Sequence, residues 1–274
     1  MTIEYHAGMA RQEPPERAYL VAVRLDENED QWSVQDSLDE LAALAQTAGA
    51  QVVGRMIQHL PHPDSATYLG KGRAQELRDL EKHLGFELVI CDDELSPSQQ
   101  RNLEGMLEHA RVLDRTALIL DIFAQHARTR EGRLQVELAQ LQYHLPRLVG
   151  RGGGLSRIGG GVRGGGAIGV RGPGETRLER DRRHIRSRIA EIRKEIEAVR
   201  EQRGLLRQQR TAQSLPLIAV VGYTNAGKST LFNALTASSV TAENKLFATL
   251  DPTTRRLVLP NHEEALLTDT PMKK

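Results

Sequence analysis

Residues 222–230 read GYTNAGKST and lie between the apolar run LPLIAVV (215–221) and the segment LFNAL (231–235). Gly222, Gly227, Lys228 and Ser229 match the pattern Gly-x4-Gly-Lys-Ser/Thr of a phosphate-binding loop. In such a loop, backbone N–H groups and a helix N-terminus cradle the phosphates, the lysine reaches the β/γ oxygens, and the hydroxyl serves Mg²⁺. The apolar run before the loop predicts a buried strand and LFNAL predicts the start of an amphipathic helix, which is the setting that the pattern requires. We therefore predict a strand, a phosphate-binding loop and a helix, with a nucleotide-binding set of Gly222, Tyr223, Thr224, Asn225, Ala226, Gly227, Lys228, Ser229 and Thr230.

The composition of the whole chain excludes several classes of protein. Its 274 residues are 39% hydrophobic and 27% charged, and no apolar run approaches the ~18 residues of a membrane span. Residues 1–17 lack the apolar core of a signal peptide and predict a disordered tail. The single cysteine, Cys91, excludes an internal disulfide framework and favours a reducing, cytoplasmic location.

Residues 18–128 predict a small α/β domain. Four short apolar segments predict strands, at 18–25, 51–60, 87–92 and 111–114. Between them we expect three helices: one starting at a Ser37–Glu40 capping box and ended by Gly49, one within 69–85, and one capped by Ser96 with Pro97 at its first position. Strands that alternate with helices indicate a parallel sheet covered by helices.

Residues 129–212 have a different periodicity, which predicts a long antiparallel helical hairpin. Leucines in the first arm and aliphatic residues in the second recur at alternating spacings of three and four, a narrow stripe of the kind found in coiled coils. Arg182 and Arg203 interrupt the second stripe, and Pro146 is expected to kink or end the first arm. The second arm starts at a Thr176–Glu179 capping box and should be ~50 Å long. The two stripes consist of Leu134, Leu138, Leu141, Leu145 and Leu148, and of Leu178, Ile185, Ile189, Ile192, Ile196, Val199 and Leu206.

The tip of this hairpin, residues 150–174, has thirteen glycines, four arginines and no acidic residue. Residues 150–210 together carry sixteen Lys or Arg against seven Asp or Glu, although the whole chain has a net charge of only +1. Basic charge concentrated in one segment favours a polyanion as partner. A flexible glycine linker and a solvated helix face are the alternatives. We favour an RNA-facing tip whose contacts are Arg151, Arg157, Arg163 and Arg171.

Four segments together resemble the HflX family of GTPases, which is close to the Obg group: GYTNAGKSTLFNAL, LFATLDPTTRRL, YLGKGRAQEL and GVRGPGETRLERDRRHI. The resemblance extends from about residue 18 to residue 270. It implies an N-terminal α/β domain, a helical hairpin and a P-loop GTPase domain. It also implies binding of GTP or GDP with Mg²⁺, GTP hydrolysis, and association with the large ribosomal subunit in the splitting or rescue of stalled ribosomes. We expect a monomer.

The same resemblance assigns the two switch segments by position. Residues 247–251 (Phe247, Ala248, Thr249, Leu250, Asp251) match the first switch, in which Thr249 would help to hold Mg²⁺ and sense the γ-phosphate. Asp269, followed by Thr270, matches the carboxylate of the second switch, which steadies Mg²⁺ through water. By this resemblance Lys228 and Thr249 are the catalytic residues, and Ser229 and Thr249 are the metal ligands.

The sequence departs from the family at its end. The second switch should read Asp-x-x-Gly, but Met272 stands where the glycine is expected. We therefore interpret residues 215–274 as a GTPase domain that is truncated, and expect the 274-residue chain itself to be inactive. The alternative function is that of a non-catalytic RNA- or ribosome-binding protein with a vestigial nucleotide module.

Two weaker signals favour structural roles. Cys91-Asp92-Asp93-Glu94 is acidic enough to suggest a metal site, but it follows a strand and precedes a capped helix, where acidic turn residues are common. Gly70-Lys71-Gly72 could contact a phosphate, and a tight turn into the following helix explains it equally well.

Overall fold

The computed structural model describes residues 14–25, 33–148, 177–211, 216–222, 226–236, 253–259 and 262–269. The chain forms two compact units, residues 1–118 and 119–274. The mixed α/β architecture predicted from the sequence is confirmed. None of the helices in the described ranges combines the length and apolarity that a membrane crossing requires.

The first unit is built on a four-stranded parallel sheet with the order β2-β1-β3-β4. Its central strand β3 is buried at all four positions, as expected of a parallel strand covered on both faces. The largest buried side chains of this core include Tyr68, Phe86 and Leu77. The elements are β1 (Arg17–Leu25), α1 (Val34–Thr47), β2 (Gln51–Leu60), α2 (Lys71–Leu84), β3 (Leu88–Cys91), α3 (Pro97–Met106), β4 (Arg111–Asp114) and α4 (Arg115–His126), which crosses the division between the units.

The ends of these helices follow local sequence signals in most cases. Gly49 and Gly85 adopt positive φ just after α1 and α2, where glycine tolerates the left-handed turn. The Ser96–Gln99 capping box of α3 is present with both hydrogen bonds, and Pro97 is the first helical residue. These observations confirm that glycine ends α1 and α2. They also confirm the predicted start of α3.

The predicted start of α1 is wrong. The helix begins at Val34, and the hydroxyl of Ser33 accepts the N–H of Asp36 at 3.2 Å. Ser37 lies inside the helix, and its hydroxyl instead donates to Asp92 at 2.6 Å. Both serines fit the local capping pattern, so a tertiary contact decides between them.

In the second unit, α5 (Arg130–Arg147) and α6 (Arg177–Thr211) form the predicted antiparallel hairpin. Leu134, Ile192 and Ile196 are buried at the centre of the seam, with Leu138 and Leu141 packed against them. Polar contacts join the two arms at three levels. The residue numbers of the partners rise along α5 and fall along α6, which establishes the antiparallel arrangement. In order along α5 they are Glu131–Arg203 (2.5 Å), Glu137–Arg188 (2.8 Å) and Leu148–Arg182 (2.9 Å).

These contacts explain the two arginines that interrupt the stripe of α6. Arg203 pairs with a carboxylate on α5, and Arg182 donates to the carbonyl of Leu148. Pro146 is the penultimate residue of α5, so the expectation that it ends the first arm is confirmed. Thr176, the predicted cap of α6, and the tip at 150–174 lie outside the described residues.

The second unit also contains a three-stranded sheet with the order β5-β7-β6. It is formed by β5 (Leu217–Val220), β6 (Thr253–Val258) and β7 (Glu264–Asp269), with helix α7 (Lys228–Thr236) between β5 and β6 in the chain. Strand β7 is central: it pairs in parallel with β5 and antiparallel with β6. Phe232 of α7 is buried, as are Ala265 and Leu267 of β7. This packing places the start of α7 beside the ends of β5 and β7.

Candidate nucleotide-binding site

Strand β5 and helix α7 are present where the sequence predicts them, and residues 223–225 of the loop between them lie outside the described residues. The expectation that the strand is buried is wrong for the described residues, because Leu217 is 67% and Ile218 41% exposed. Strand β5 ends at Val220, and α7 begins at Lys228, immediately after Gly227. The N–H of Leu231 donates to the carbonyl of Gly227 at 2.9 Å, which is the first helical bond of α7. The first turn of α7 has no acidic residue, so the partial positive charge of its N-terminus is not offset there.

Gly227 has a conformation that favours glycine. Its φ is +80°, a region that costs L-residues with a Cβ. No described atom lies within 4 Å of a Cβ built on Gly227. The positive φ of Gly227, and not crowding by described residues, is therefore what favours glycine at this position.

Lys228 and Gly222 lie next to each other across the loop. The Cδ of Lys228 is 3.7 Å from the position of a Cβ built on Gly222. The aliphatic stem of the lysine thus runs back over the start of the loop, with its side chain half-buried. Of the remaining loop residues, Ala226 and Thr230 are exposed, whereas Tyr223, Thr224 and Asn225 lie outside the described residues.

Ser229 and Asp269 are brought together from positions forty residues apart. The hydroxyl of Ser229 donates to Oδ2 of Asp269 at 2.6 Å. Val220, at the end of β5, is paired with Asp269 at the end of β7, so the register of the sheet places the carboxylate beside the loop. Asp269 is fully buried. A charged acceptor makes this a strong hydrogen bond.

These two side chains have the chemistry of a Mg²⁺ site. Mg²⁺ prefers oxygen ligands and is usually held by one or two protein oxygens, together with waters and substrate phosphates. A hydroxyl and a carboxylate at the N-terminus of a helix fit that description. No cluster of three or more His, Cys, Asp or Glu side chains able to hold a metal occurs within the described ranges.

The other predicted site residues cannot be placed beside this pair. The first-switch segment 247–251, which includes Thr249, falls outside the described ranges, and so does Thr270. The four tip arginines Arg151, Arg157, Arg163 and Arg171 do so as well. Their assignments stay predictions.

The second glycine–lysine segment, Gly70-Lys71-Gly72, forms the start of α2. The N–H of Gly70 donates to Oε1 of Gln58 at 3.0 Å, and the carbonyl of Gly70 accepts the N–H of Ala74. A Cβ on Gly70 would meet the Gln58 side chain at 2.8 Å. This helix start is covered by a side chain of its own unit, consistent with the tight-turn interpretation.

The acidic residues after β3 also have internal partners. Asp92 accepts hydrogen bonds from Ser37 and from Arg115, at 2.6 and 2.8 Å. Asp93 accepts the hydroxyl of Tyr68 at 2.6 Å, and burial raises the pKa of Asp93 above its usual range. The Cys91–Glu94 segment thus joins α1, α4 and the loop before α2 to the sheet.

Three families match successive parts of the chain. Residues 35–124 match the family described as GTP-binding GTPase N-terminal, and residues 126–210 match GTP-binding GTPase Middle Region. Residues 217–272 match the family described as 50S ribosome-binding GTPase.

Two of the curated relatives are both named GTPase HflX. The chain is 54% identical over 255 residues to GTPase HflX of Caldanaerobacter subterraneus subsp. tengcongensis, covering 93% of this chain and 57% of that protein. It is 45% identical over 260 residues to GTPase HflX of Escherichia coli (strain K12), covering 95% and 58%. The chain therefore spans less than two thirds of the length of these relatives.

Solved structures also match. A GTP-binding protein from Sulfolobus solfataricus in complex with GDP has 25% sequence identity and a TM-score of 0.45, covering 93% of this chain and 60% of that one.

Proposed function

Because the chain belongs to the HflX family of GTPases, we propose that it binds GTP and GDP with Mg²⁺ at residues 222–230 and that the activity of this family is GTP hydrolysis. With Met272 in place of the second-switch glycine, we expect the 274-residue chain by itself not to turn GTP over. We propose further that its partner is the large ribosomal subunit, that it acts in the cytoplasm, and that it splits or rescues stalled ribosomes. The observation that carries the nucleotide site is the 2.6 Å hydrogen bond between Ser229 and Asp269 at the start of α7.

We assign phosphate binding to the loop and to the N-terminus of α7. The N–H groups in the first turn of a helix have no acceptor within that helix, and such groups suit phosphate oxygens. The ammonium of Lys228 reaches the β/γ oxygens from its position at the first residue of the helix.

Ser229 is the described residue that would bind Mg²⁺ directly, and Asp269, bonded to it, would steady the ion through water. Thr249 joins Ser229 as a ligand by resemblance to the family. When bound, the ion neutralises negative charge that develops on the phosphate oxygens during phosphoryl transfer. The hydroxyl of Ser229 already points at a carboxylate oxygen, so the two oxygens are preorganised side by side. Preorganised oxygens need little rearrangement when the ion binds, which favours binding.

The ribosomal partner is supported by charge and by family. Residues 150–210 hold the basic surplus of the chain, and the family that matches residues 217–272 is described as a 50S ribosome-binding GTPase. Arginine side chains suit RNA phosphates because the guanidinium donates two parallel hydrogen bonds. We assign Arg151, Arg157, Arg163 and Arg171 to this contact.

Titration of the purified chain with GDP and GTP tests the nucleotide site, with ATP as competitor and with Mg²⁺ or EDTA present. We expect saturable binding that Mg²⁺ strengthens, and the extent to which ATP displaces GDP measures the base preference of the site. Co-sedimentation with large ribosomal subunits, in GTP and in GDP, tests the partner, and GTP turnover measured with the subunits tests hydrolysis. Subunit binding without any nucleotide binding would favour the non-catalytic alternative.

A further inference from the structure

One side of the helical hairpin carries arginines that the opposite arm does not neutralise. In α6, Arg186, Arg193 and Arg200 recur every seven residues beside the buried stripe that includes Ile192 and Ile196. All three arginines are exposed, and we call them the arginine flank. We propose that the arginine flank is an RNA-binding surface along which a phosphate backbone lies. The inference rests on the proposed function, because the RNA in question is that of the large ribosomal subunit.

The other side of the hairpin shows what such positions ordinarily do. In coiled coils, the positions beside the apolar seam often form ion pairs between the helices. Here Nε of Arg188 on α6 lies 2.8 Å from Oε1 of Glu137 on α5, and Nη2 of Arg130 on α5 lies 3.2 Å from Oε2 of Glu195 on α6. The charges on this side therefore neutralise one another across the seam.

Helix α5 presents amides, and not carboxylates, to the arginine flank. Arg130 and Glu137 lie on one side of the apolar stripe of α5 and pair with the side of α6 opposite the arginine flank. The other side of the α5 stripe holds Gln135 and Gln142, and it faces the arginine flank. Both glutamines are exposed, and Nε2 of Gln135 donates to Glu131 of its own helix at 3.1 Å. An amide cannot neutralise a guanidinium.

The arginine flank therefore keeps its positive charge. Within the part of the chain that the structure describes, Arg186 and Arg193 have no acidic partner. Arg200 lies 3.6 Å from Glu197 of its own helix, and the two side chains are 62% and 64% exposed. An exposed ion pair of this kind contributes little, so a phosphate can replace the carboxylate.

The arrangement of the three arginines suits a linear polyanion. At ~1.5 Å per residue, neighbouring members of the row are ~10 Å apart along α6, and the whole row is ~21 Å long. A nucleic-acid strand carries phosphates at regular intervals over such a length. The planar guanidinium binds phosphate oxygens through two parallel hydrogen bonds, which an ammonium does not provide.

The composition of this side favours RNA over an acidic protein as the occupant. Interfaces between proteins have a core enriched in aromatic and apolar residues, whereas interfaces with nucleic acid are more polar and much more positively charged. The exposed side chains that line this side of the seam are the three arginines, Gln135 and Gln142. They offer a protein partner no apolar anchor.

The test compares two triple variants that remove the same charge from α6. The flank variant combines Arg186→Ala, Arg193→Ala and Arg200→Ala. The control removes three exposed cations from the side of α6 opposite its buried stripe: Arg180→Ala, Arg183→Ala and Lys194→Ala. A third variant replaces the arginine flank by three lysines. Affinity is measured for large ribosomal subunits and for protein-free RNA extracted from them, at several salt concentrations.

For the flank variant we expect affinity for both probes to fall about tenfold at the lowest salt concentration, the scale of three exposed ion pairs. The salt slope should fall by about two to three, because each lost phosphate contact removes about 0.7–0.9. The lysine variant should keep the slope and recover only part of the affinity. The control should change the slope by less than about one.

A matched pair of single changes gives the same comparison if three alanines lower the helix content. Arg193→Glu and Lys194→Glu reverse the same charge at neighbouring exposed residues that lie on different sides of α6. We expect Arg193→Glu to weaken RNA binding more than Lys194→Glu does. Circular dichroism checks that both variants keep the helix content of the wild type.

Three results would overturn the proposal. Unchanged affinity and slope in the flank variant would mean that the arginine flank does not touch RNA. Equal losses in the flank variant and the control, or in the two single variants, would reveal a general effect of charge. A loss on subunits without a loss on protein-free RNA would make the partner a ribosomal protein. If the wild type does not bind large subunits, the proposed function fails, and binding to protein-free RNA alone decides the role of the arginine flank.

Discussion

Two helices in this protein begin with a lysine directly after a glycine, and only one of them has the features of a nucleotide site. At α2 the pair is Gly70-Lys71, and at α7 it is Gly227-Lys228. Gly70 is extended and its N–H is bonded to Gln58, whereas Gly227 has a φ of +80° with no described atom within 4 Å of its Cβ position. The glycine–lysine pair at a helix start is therefore not sufficient evidence of phosphate binding.

The second difference lies one position after the lysine. In α7 this residue is Ser229, which is bonded to the buried carboxylate of Asp269. In α2 it is Gly72, which has no side chain to offer an ion. Lys71 also lies near the exposed carboxylate of Asp64, whose pKa is lowered mainly by the N–H groups of Thr67 and Ala66 and to a smaller extent by Lys71. The carboxylate of Asp64 is thus held by N–H groups of its own loop, whereas that of Asp269 accepts the hydroxyl of a residue in the first turn of α7.

The largest effect should come from removing each lysine in turn. We expect Lys228→Ala to weaken GDP binding by about 3–4 kcal/mol, the scale of one group lost from a phosphate clamp. The matched control Lys71→Ala should leave affinity unchanged. Isothermal titration with GDP and Mg²⁺ measures both. Affinity of Lys228→Ala within a factor of about two of the wild type would contradict the role of the lysine.

The second largest effect on GDP affinity should come from Ser229, which has no counterpart at the start of α2. Ser229→Ala should lower GDP affinity in Mg²⁺ by about 1–3 kcal/mol, because the hydroxyl ligand is lost and the buried carboxylate of Asp269 loses a donor. Ser229→Thr keeps the hydroxyl and serves as the control. Titrations in Mg²⁺ and in EDTA distinguish the causes. If the two variants respond equally to Mg²⁺, Ser229 does not hold the ion.

Much of this comparison could be predicted from the sequence, because the relevant signals are local. The loop pattern at 222–230, the capping box at Ser96 and the glycines that end α1 and α2 depend on a few neighbouring residues. The aliphatic stripes predicted the hairpin, since a narrow apolar stripe requires a partner.

The features that sequence could not give depend on contacts between distant residues. Ser33 and Ser37 both fit the cap of α1, and the bond between Ser37 and Asp92 decided between them. The family resemblance assigned Ser229 and Asp269 to one Mg²⁺ site, but their direct hydrogen bond depends on the register of β5 and β7, which no local pattern encodes. The roles of Arg182 and Arg203 had a signal, because they replace apolar residues in a stripe, but their acceptors lie on the other arm.

The two glycines should differ in how they tolerate a side chain. Gly227→Ala places a Cβ on a residue with a φ of +80°, which costs about 1–2 kcal/mol. Gly70 has an ordinary φ, so in Gly70→Ala only the end of the flexible Gln58 side chain must move. Hydrogen exchange in peptides covering 226–236 and 70–84 measures the two costs. A larger rise in exchange for Gly70→Ala than for Gly227→Ala would reverse this part of the comparison.

The smallest effect tests whether the start of α2 is inactive only because Gln58 covers it. Gln58→Ala frees the N–H of Gly70 at a cost of about 0.5–1.5 kcal/mol, the value of one ordinary hydrogen bond. The variant is made together with Lys228→Ala, which weakens GDP binding at α7. Any additional GDP binding by the double variant then occurs at α2. We expect no binding, because the uncovered helix start still lacks a hydroxyl–carboxylate pair such as Ser229 and Asp269. GDP binding by the double variant that Lys228→Ala alone does not show would mean that an uncovered glycine–lysine helix start suffices, and that Ser229 and Asp269 add to the site at α7 without defining it.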